Sequence, residues 1–191
     1  GCTENTRCIG IVDIGWRGTI QDNIAYLMPN TKIFGYYMGL QFFLNKQPEN
    51  CVKYAFGPDA NKSKININLL DAVSILEMLC NAPSGSVLNY KKEENGKIIS
   101  SRLIDDDEND VFYKFVSFFQ ESILFSSRLW SKEIDAHVIS SSDFYDYACI
   151  IWKNLVHNTD SNLLKVYNNL NHNEIFGVGK FVKKNNVPSI K

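Results

Sequence analysis

Apolar and polar positions divide the chain into a front part that reads as strands separated by loops and a back part that reads as helix. Ile9 to Val12 is a short apolar, β-branched run of the kind that fills a buried parallel strand. Gln21 to Met28 continues as a helix whose first turn contains Thr19 and Ile20. Pro29-Asn30 makes a turn, and Lys32 to Leu40 (KIFGYYMGL) predicts a second strand. The stretch between the strands has room for a loop, a helix of two to three turns and a return, so the segment predicts a parallel βαβ crossover. Gly35 and Gly39 fall in the second strand, where glycine marks either a border with a ligand or close packing against the neighbouring helix.

Residues 45–67 are polar and contain Pro48, Gly57 and Pro58, which reads as an irregular excursion with one short strand at Val52 to Phe56. Leu69 to Leu79 carries apolar side chains at helical spacing and is ended by Asn81-Ala82-Pro83-Ser84-Gly85. Ser86 to Tyr90 and Lys97 to Leu103 flank Glu93-Glu94-Asn95-Gly96, and Asn-Gly between strand-like runs predicts an antiparallel hairpin. The 111–130 segment predicts a long buried helix with Phe112, Phe115, Val116, Phe119, Ile123 and Leu124 as its core face. Further helices are expected from Ser142, as N-cap, to Val156 and from Asp160 to Leu170, followed by a basic, frayed tail from Lys180. The pattern therefore predicts an α/β fold: a Rossmann-like parallel βαβ core with a β-hairpin over residues 1–105, and a helical C-terminal extension packed on it over 106–191.

Composition narrows the function. With 45% apolar and 13% aromatic residues the chain has material for a packed core, and 20 basic against 21 acidic side chains leave a net charge of −1. No global field draws in nucleic acid or an anionic membrane, so no nucleic-acid partner is expected. The five cysteines (Cys2, Cys8, Cys51, Cys80, Cys149) are scattered and never spaced as C-x-x-C, which argues against a disulfide framework or zinc site. Cys8, Cys80 and Cys149 lie in apolar stretches and are expected to be buried, a usage that fits a cytoplasmic protein. No apolar run approaches the roughly 20 residues needed to span a bilayer, so no transmembrane segment is expected. With Gly1 and Cys2 almost directly before a core strand, the chain reads as a segment of a longer protein.

The candidate chemistry is concentrated in Val12-Asp13-Ile14-Gly15-Trp16-Arg17-Gly18-Thr19-Ile20, where an apolar strand ends in an acid and a glycine-bracketed loop opens a helix. A helix N-terminus offers unpaired N–H donors and partial positive charge, so a loop with Gly15, Arg17, Gly18 and Thr19 suits a phosphate or sugar phosphate. Three enzyme motifs match in part. The haloacid dehalogenase pattern lacks its second acid, because Gly15 stands in that place. The sugar-kinase and actin pattern fits Asp13-Ile14-Gly15, but Trp16 replaces a glycine. The type I phosphoribosyltransferase loop transfers its logic, with Asp13 accepting from ribose hydroxyls and Gly18 and Thr19 donating to phosphate, in a shorter loop with one acid instead of two. Against all three stands a purely architectural role, in which Asp13 caps the helix, the glycines shape a βα turn and Trp16 packs.

Elsewhere the signals are weaker. Asp105-Asp106-Asp107-Glu108 reads better as acids complementing a helix dipole than as a cation site. Glu77 is a helix-face acid, and Tyr36, Tyr37 and Tyr90 are read as core aromatics before sugar-stacking ones. His137, His157 and His172 have no partner at metal-ligand or triad spacing, and no P-loop or G-x-S-x-G elbow occurs, so neither metal nor cofactor is called for.

Three blocks, VDIGWRGTIQ (Val12 to Gln21), IFGYYMGL (Ile33 to Leu40) and EMLCNAPSGSVLNY (Glu77 to Tyr90), make residues 8–105 resemble the C-terminal region of bacterial haloacid-dehalogenase-like proteins linked to capsule and O-antigen polysaccharide biosynthesis. The resemblance implies a preceding haloacid-dehalogenase-like domain, glycosyltransferase partners and a phosphorylated or activated sugar as ligand. On that reading Arg17 pairs with phosphate through its planar fork, Gly15 and Gly18 permit close approach, and Thr19 and Gln21 add polar contacts. Asp13, the candidate catalytic residue, binds sugar hydroxyls or stabilises an oxocarbenium-like centre, as in a glycosyl- or phosphoribosyl-transferase. The competing expectation is a non-catalytic module that docks a hydrolase or glycosyltransferase.

Overall fold

The computed structural model describes residues 5–63, 68–71, 73–140, 142–169, 173–174 and 182–183. The chain is mixed α/β. It divides into two units interleaved in sequence, one formed by Gly1–Val73 with Ile134–Asp160 and the other by Ser74–Glu133 with Ser161–Lys191.

The first unit is built on a parallel sheet of three strands in the order β1 (Cys8–Asp13), β2 (Lys32–Tyr37), β3 (Cys51–Ala55), with α1 (Thr19–Leu27) as the crossover between β1 and β2. The expected βαβ unit is thus present. The second strand stops at Tyr37 instead of Leu40, which makes only an isolated bridge to Asp59. The short strand expected near Val52 is a full member of the sheet, in register with β2 from Ile33↔Cys51 to Tyr37↔Ala55. Alternation decides what each face meets: Ile33, Gly35 and Tyr37 are buried on the side of α1, while Val12, Tyr36 and Tyr54 are exposed on the other. Tyr36 and Tyr54 stack on each other there, with ring centroids 5.6 Å apart.

Gly35 shows why this position has no side chain. A Cβ there would lie 2.0 Å from Gln21 Oε1, so the glycine admits the helix side chain to the sheet. Of the two roles open to it, close packing against the helix is the one observed. Gly39 lies beyond the strand, where a Cβ would meet Leu70 and Trp152.

The helix expected over Leu69–Leu79 is shorter: α2 runs only from Ser74 to Leu79. The carbonyls that would begin it are taken by side chains, since Trp152 Nε1 donates to Leu69 O at 2.7 Å and Gln41 Nε2 to Leu70 O at 3.0 Å. Leu69 and Leu70 are buried in the first unit instead. That unit also contains α5 (Tyr145–His157), which carries the buried Trp152. The residue preceding this helix is Phe144, not Ser142; the Ser142 hydroxyl is paired with that of Ser140 at 2.6 Å, so the expected cap is not used.

In the second unit the Asn-Gly hairpin is present as β4 (Ser86–Lys92) and β5 (Ile98–Leu103), its turn closed by Gly96 at φ 82° and by Lys97 N–H donating to Asn95 Oδ1. Asp105 caps α3 (Asp106–Val111) by accepting from Glu108 N–H, and Asp106, Asp107 and Glu108 fill its first turn, the dipole role expected for this acidic run. A π turn (Phe112–Val116) leads into α4 (Ser117–His137), of which residues 117–133 belong to this unit and residues 134–137 to the first. The core here is Met78, Leu79, Val111 and Val116, with Phe112 and Phe115 packed against it.

The expectation of a buried helix through Leu124 is corrected by α4, none of whose residues is buried; Phe119, Ile123 and Leu124 are exposed. Burial along this stretch ends with the π turn, Val116 being the last residue that belongs to the core around Met78 and Leu79. α6 (Ser161–Asn169) matches the third expected helix, and β6 (Asn173–Glu174) pairs with β7 (Val182–Lys183). His172 and most of the basic tail lie outside the described residues. Cys8 and Cys80 are exposed rather than buried, and Cys149 is half-buried. Cys2 lies outside the described residues. Among the described residues no helix is long and apolar enough to cross a membrane.

Candidate functional site

The strand and helix that bracket the opening loop fix its geometry. β1 ends on Asp13 in register with Tyr37 of β2, and α1 begins at Thr19 after Gly18. Gly18 adopts φ 67°, and a Cβ there would lie 2.7 Å from Lys53 Cε and 2.8 Å from the Tyr37 hydroxyl. Only glycine meets both demands, a left-handed backbone and a bare Cα. As the cap of α1 it supplies no side-chain acceptor to the first turn. Gly15, at φ 145°, is the second such position, since a Cβ would approach Gly39 O to 2.7 Å.

The loop between these glycines is braced from the next one. Gln41 N–H donates to Trp16 O at 2.7 Å, and the Arg17 guanidinium donates to Phe42 O at 2.5 Å. Trp16 packs edge-on against Trp152, with centroids 5.9 Å apart. Trp152 in turn lies over Gly39 and Gly57, where added Cβ atoms would meet its ring at 3.1 and 3.0 Å.

Behind the loop lies a buried polar cluster in which Gln21 and Tyr37 are joined by Asp22, Gln47 and Lys53, three residues that no sequence motif marks. Lys53 Nζ is 2.6 Å from Asp22 Oδ1, donates to Gln47 Oε1 at 2.6 Å and to Arg17 O at 3.2 Å, and sits 4.5 Å from the centre of the Phe43 ring. Gln21 is fully buried: Nε2 donates to Ile33 O and Val52 O, each at 3.0 Å, and Oε1 accepts from Tyr37 O–H at 2.7 Å. Burial, with the nearby Asp13, Asp22 and Cys51, pushes the Tyr37 phenol well above its ordinary range, so it stays a donor. Burial and Asp22 likewise raise the Cys51 thiol.

The expected site residues therefore separate. Asp13, Gly15, Arg17, Gly18 and Thr19 are gathered at the carboxyl ends of the parallel strands, with Asp13 and Arg17 half-buried and Thr19 exposed. Gln21, expected to add a polar contact to a ligand, points inward and joins α1 to β2 and β3. Tyr37 is buried, whereas Tyr36 and Tyr90 are exposed. Glu77 belongs to the second unit. The signal for Lys53 and Asp22 was a charged side chain on an otherwise apolar strand (CVKYA) and an acid in the first turn of a helix. Among the described residues no cluster of three His, Cys, Asp or Glu side chains is placed to hold a metal. No family model matches the chain, and no curated protein matches it.

Proposed function

We propose that the chain binds the phosphate of a phosphorylated or activated sugar at the first turn of α1, as a Rossmann-like domain of a protein serving bacterial surface-polysaccharide assembly. The observation that carries this reading is the cap: Gly18 opens α1 with no side-chain acceptor, just past a parallel strand that ends in Asp13. In open α/β sheets ligands bind at the carboxyl ends of the strands, and a helix N-terminus favours an anion there. The Thr19 amide and hydroxyl donate to phosphate, and Asp13 accepts from sugar hydroxyls. Arg17 uses one N–H on Phe42 O, and its planar fork has others for phosphate. Lys53 holds the loop from behind through Arg17 O and Gln21 ties α1 to the sheet, and neither touches the ligand. The link to polysaccharides, to a haloacid-dehalogenase-like partner domain and to transferase chemistry at Asp13 rests on the three sequence blocks.

A second reading, a non-catalytic docking module, is favoured by Arg17 and Trp16 being engaged with Phe42 and Trp152, and by the exposed sheet face around Val12, Tyr36 and Tyr54. Titration with a hexose 1-phosphate by calorimetry separates the two. Binding that Asp13→Asn and Arg17→Ala each weaken at least about tenfold, with the far-UV circular dichroism unchanged, supports the site. Binding unaffected by both substitutions, or none at all in the unsubstituted protein, removes it.

A further inference from the structure

α4 has 21 residues, none buried, yet its sequence is strongly patterned. Phe118, Phe125 and Leu129 fall within about 40° of one another around the helix axis. They are 63%, 66% and 51% exposed. With Ser122 they alternate four, three and four residues apart, the spacing of a coiled-coil seam. A run of large apolar side chains left in water on one helix is an association surface.

The charges flanking that seam select its occupant. Glu121 and Arg128 occupy the same flanking position one heptad apart, and both are exposed. When a second copy of the helix lies antiparallel, with Glu121 against Arg128 of the second copy, the two-fold axis places Arg128 against Glu121 of the second copy. Both pairs are attractive, and the same register sets Phe118 against Leu129 and Ser122 against Phe125. Lys114, seven residues before Glu121, lies in the π turn and pairs with Asp110 of its own chain, so the flanking match rests on Glu121 and Arg128. The net charge of −1 sets little global repulsion against self-association.

We propose that the α4 face is the interface of a homodimer, formed by antiparallel pairing of two copies about the Phe118–Leu129 seam. The seam supplies the apolar contact and the Glu121–Arg128 pairs fix the direction and register. In a parallel pairing these two positions would not meet.

Sedimentation equilibrium of the full chain over a range of concentrations tests the proposal. The protein is expected to dimerise, and Phe125→Asp to abolish the dimer while leaving circular dichroism unchanged. Glu121→Arg and Arg128→Glu each place like charges in contact and weaken association about tenfold at low salt, whereas the double substitution Glu121→Arg/Arg128→Glu restores it. A protein that is monomeric at every concentration overturns the proposal. So does a dimer that survives Phe125→Asp, or one whose single charge reversals are not rescued by the double exchange.

Discussion

Lys53 Nζ lies 2.6 Å from Asp22 Oδ1 with both side chains almost fully buried, so the βα loop rests on an ion pair withdrawn from water. Such a pair costs several kcal/mol per ion to desolvate and persists because its remaining valences are filled. Gln47 Oε1, Arg17 O and the Phe43 ring complete the surroundings of the ammonium.

Removing one partner strands the other. Lys53→Met is expected to destabilise the fold by about 3–5 kcal/mol, through an unpaired Asp22. The double substitution Lys53→Met/Asp22→Leu is expected to recover most of that loss. Urea unfolding of the three proteins measures both effects, and a Lys53→Met protein as stable as the parent would mean that the pair does not form.

Tyr37 gives a pH dependence of defined sign. Its phenol is held above the ordinary value of 10.0 by burial and by Asp13, Asp22 and Cys51, so the folded state keeps the proton that the unfolded state releases. The folded state is then favoured in full below the unfolded value, and that contribution falls as the pH climbs past it. The alkaline decline in stability is expected to be shallower in Tyr37→Phe than in the parent between pH 9.5 and 11, on the order of the unfolded phenol value. Near neutral pH the same substitution costs about 1–2 kcal/mol, because Gln21 Oε1 loses its donor. Equilibrium unfolding at several pH values reads both.

Two glycines of the same sheet are expected to respond oppositely to alanine. At Gly35 a Cβ would strike Gln21 Oε1 at 2.0 Å and Tyr37 Cε2 at 2.5 Å, so Gly35→Ala loses about 1–3 kcal/mol by overpacking. At Gly10 a Cβ meets nothing within 4 Å, so Gly10→Ala is neutral or gains up to about 1 kcal/mol from the unfolded chain's lost freedom. Thermal melts of the two variants decide.

Trp152→Phe keeps an aromatic ring over Gly39 and Gly57 but removes the N–H that satisfies Leu69 O. The expected loss is about 1–3 kcal/mol for the stranded carbonyl, with faster proton exchange at the Gln41 amide, which the Trp16 carbonyl holds.

Periodicity made the local elements of the front part legible. The β1–α1–β2 crossover, the Asn-Gly hairpin and the dipole role of the acidic run at 105–108 each depend on signals within a few neighbouring residues. The truncation of the Leu69–Leu79 helix was not legible, because it is imposed by Trp152 and Gln41, which are distant in sequence from the carbonyls they occupy. On α4 the pattern placed a core face at Phe119, Ile123 and Leu124, which are exposed, since a stripe at helical spacing says that a face seeks cover and not where the cover comes from; the Phe118–Leu129 seam was not among those residues. At the candidate site the glycines and Asp13 could be placed from the strand-loop-helix order. Gln21 could not, because the side chain's direction follows from Gly35 leaving it space on the opposite strand.

Amide chemical shifts report on an anion bound at the first turn of α1. With the backbone resonances assigned, titration with a hexose 1-phosphate is expected to move the Gly18, Thr19 and Ile20 amides together, saturably. Asp13→Asn should weaken the response to the sugar phosphate more than the response to inorganic phosphate. Shifts spread over exposed lysines with no saturation at α1, or no shift at these three amides, would mean that α1 holds no phosphate.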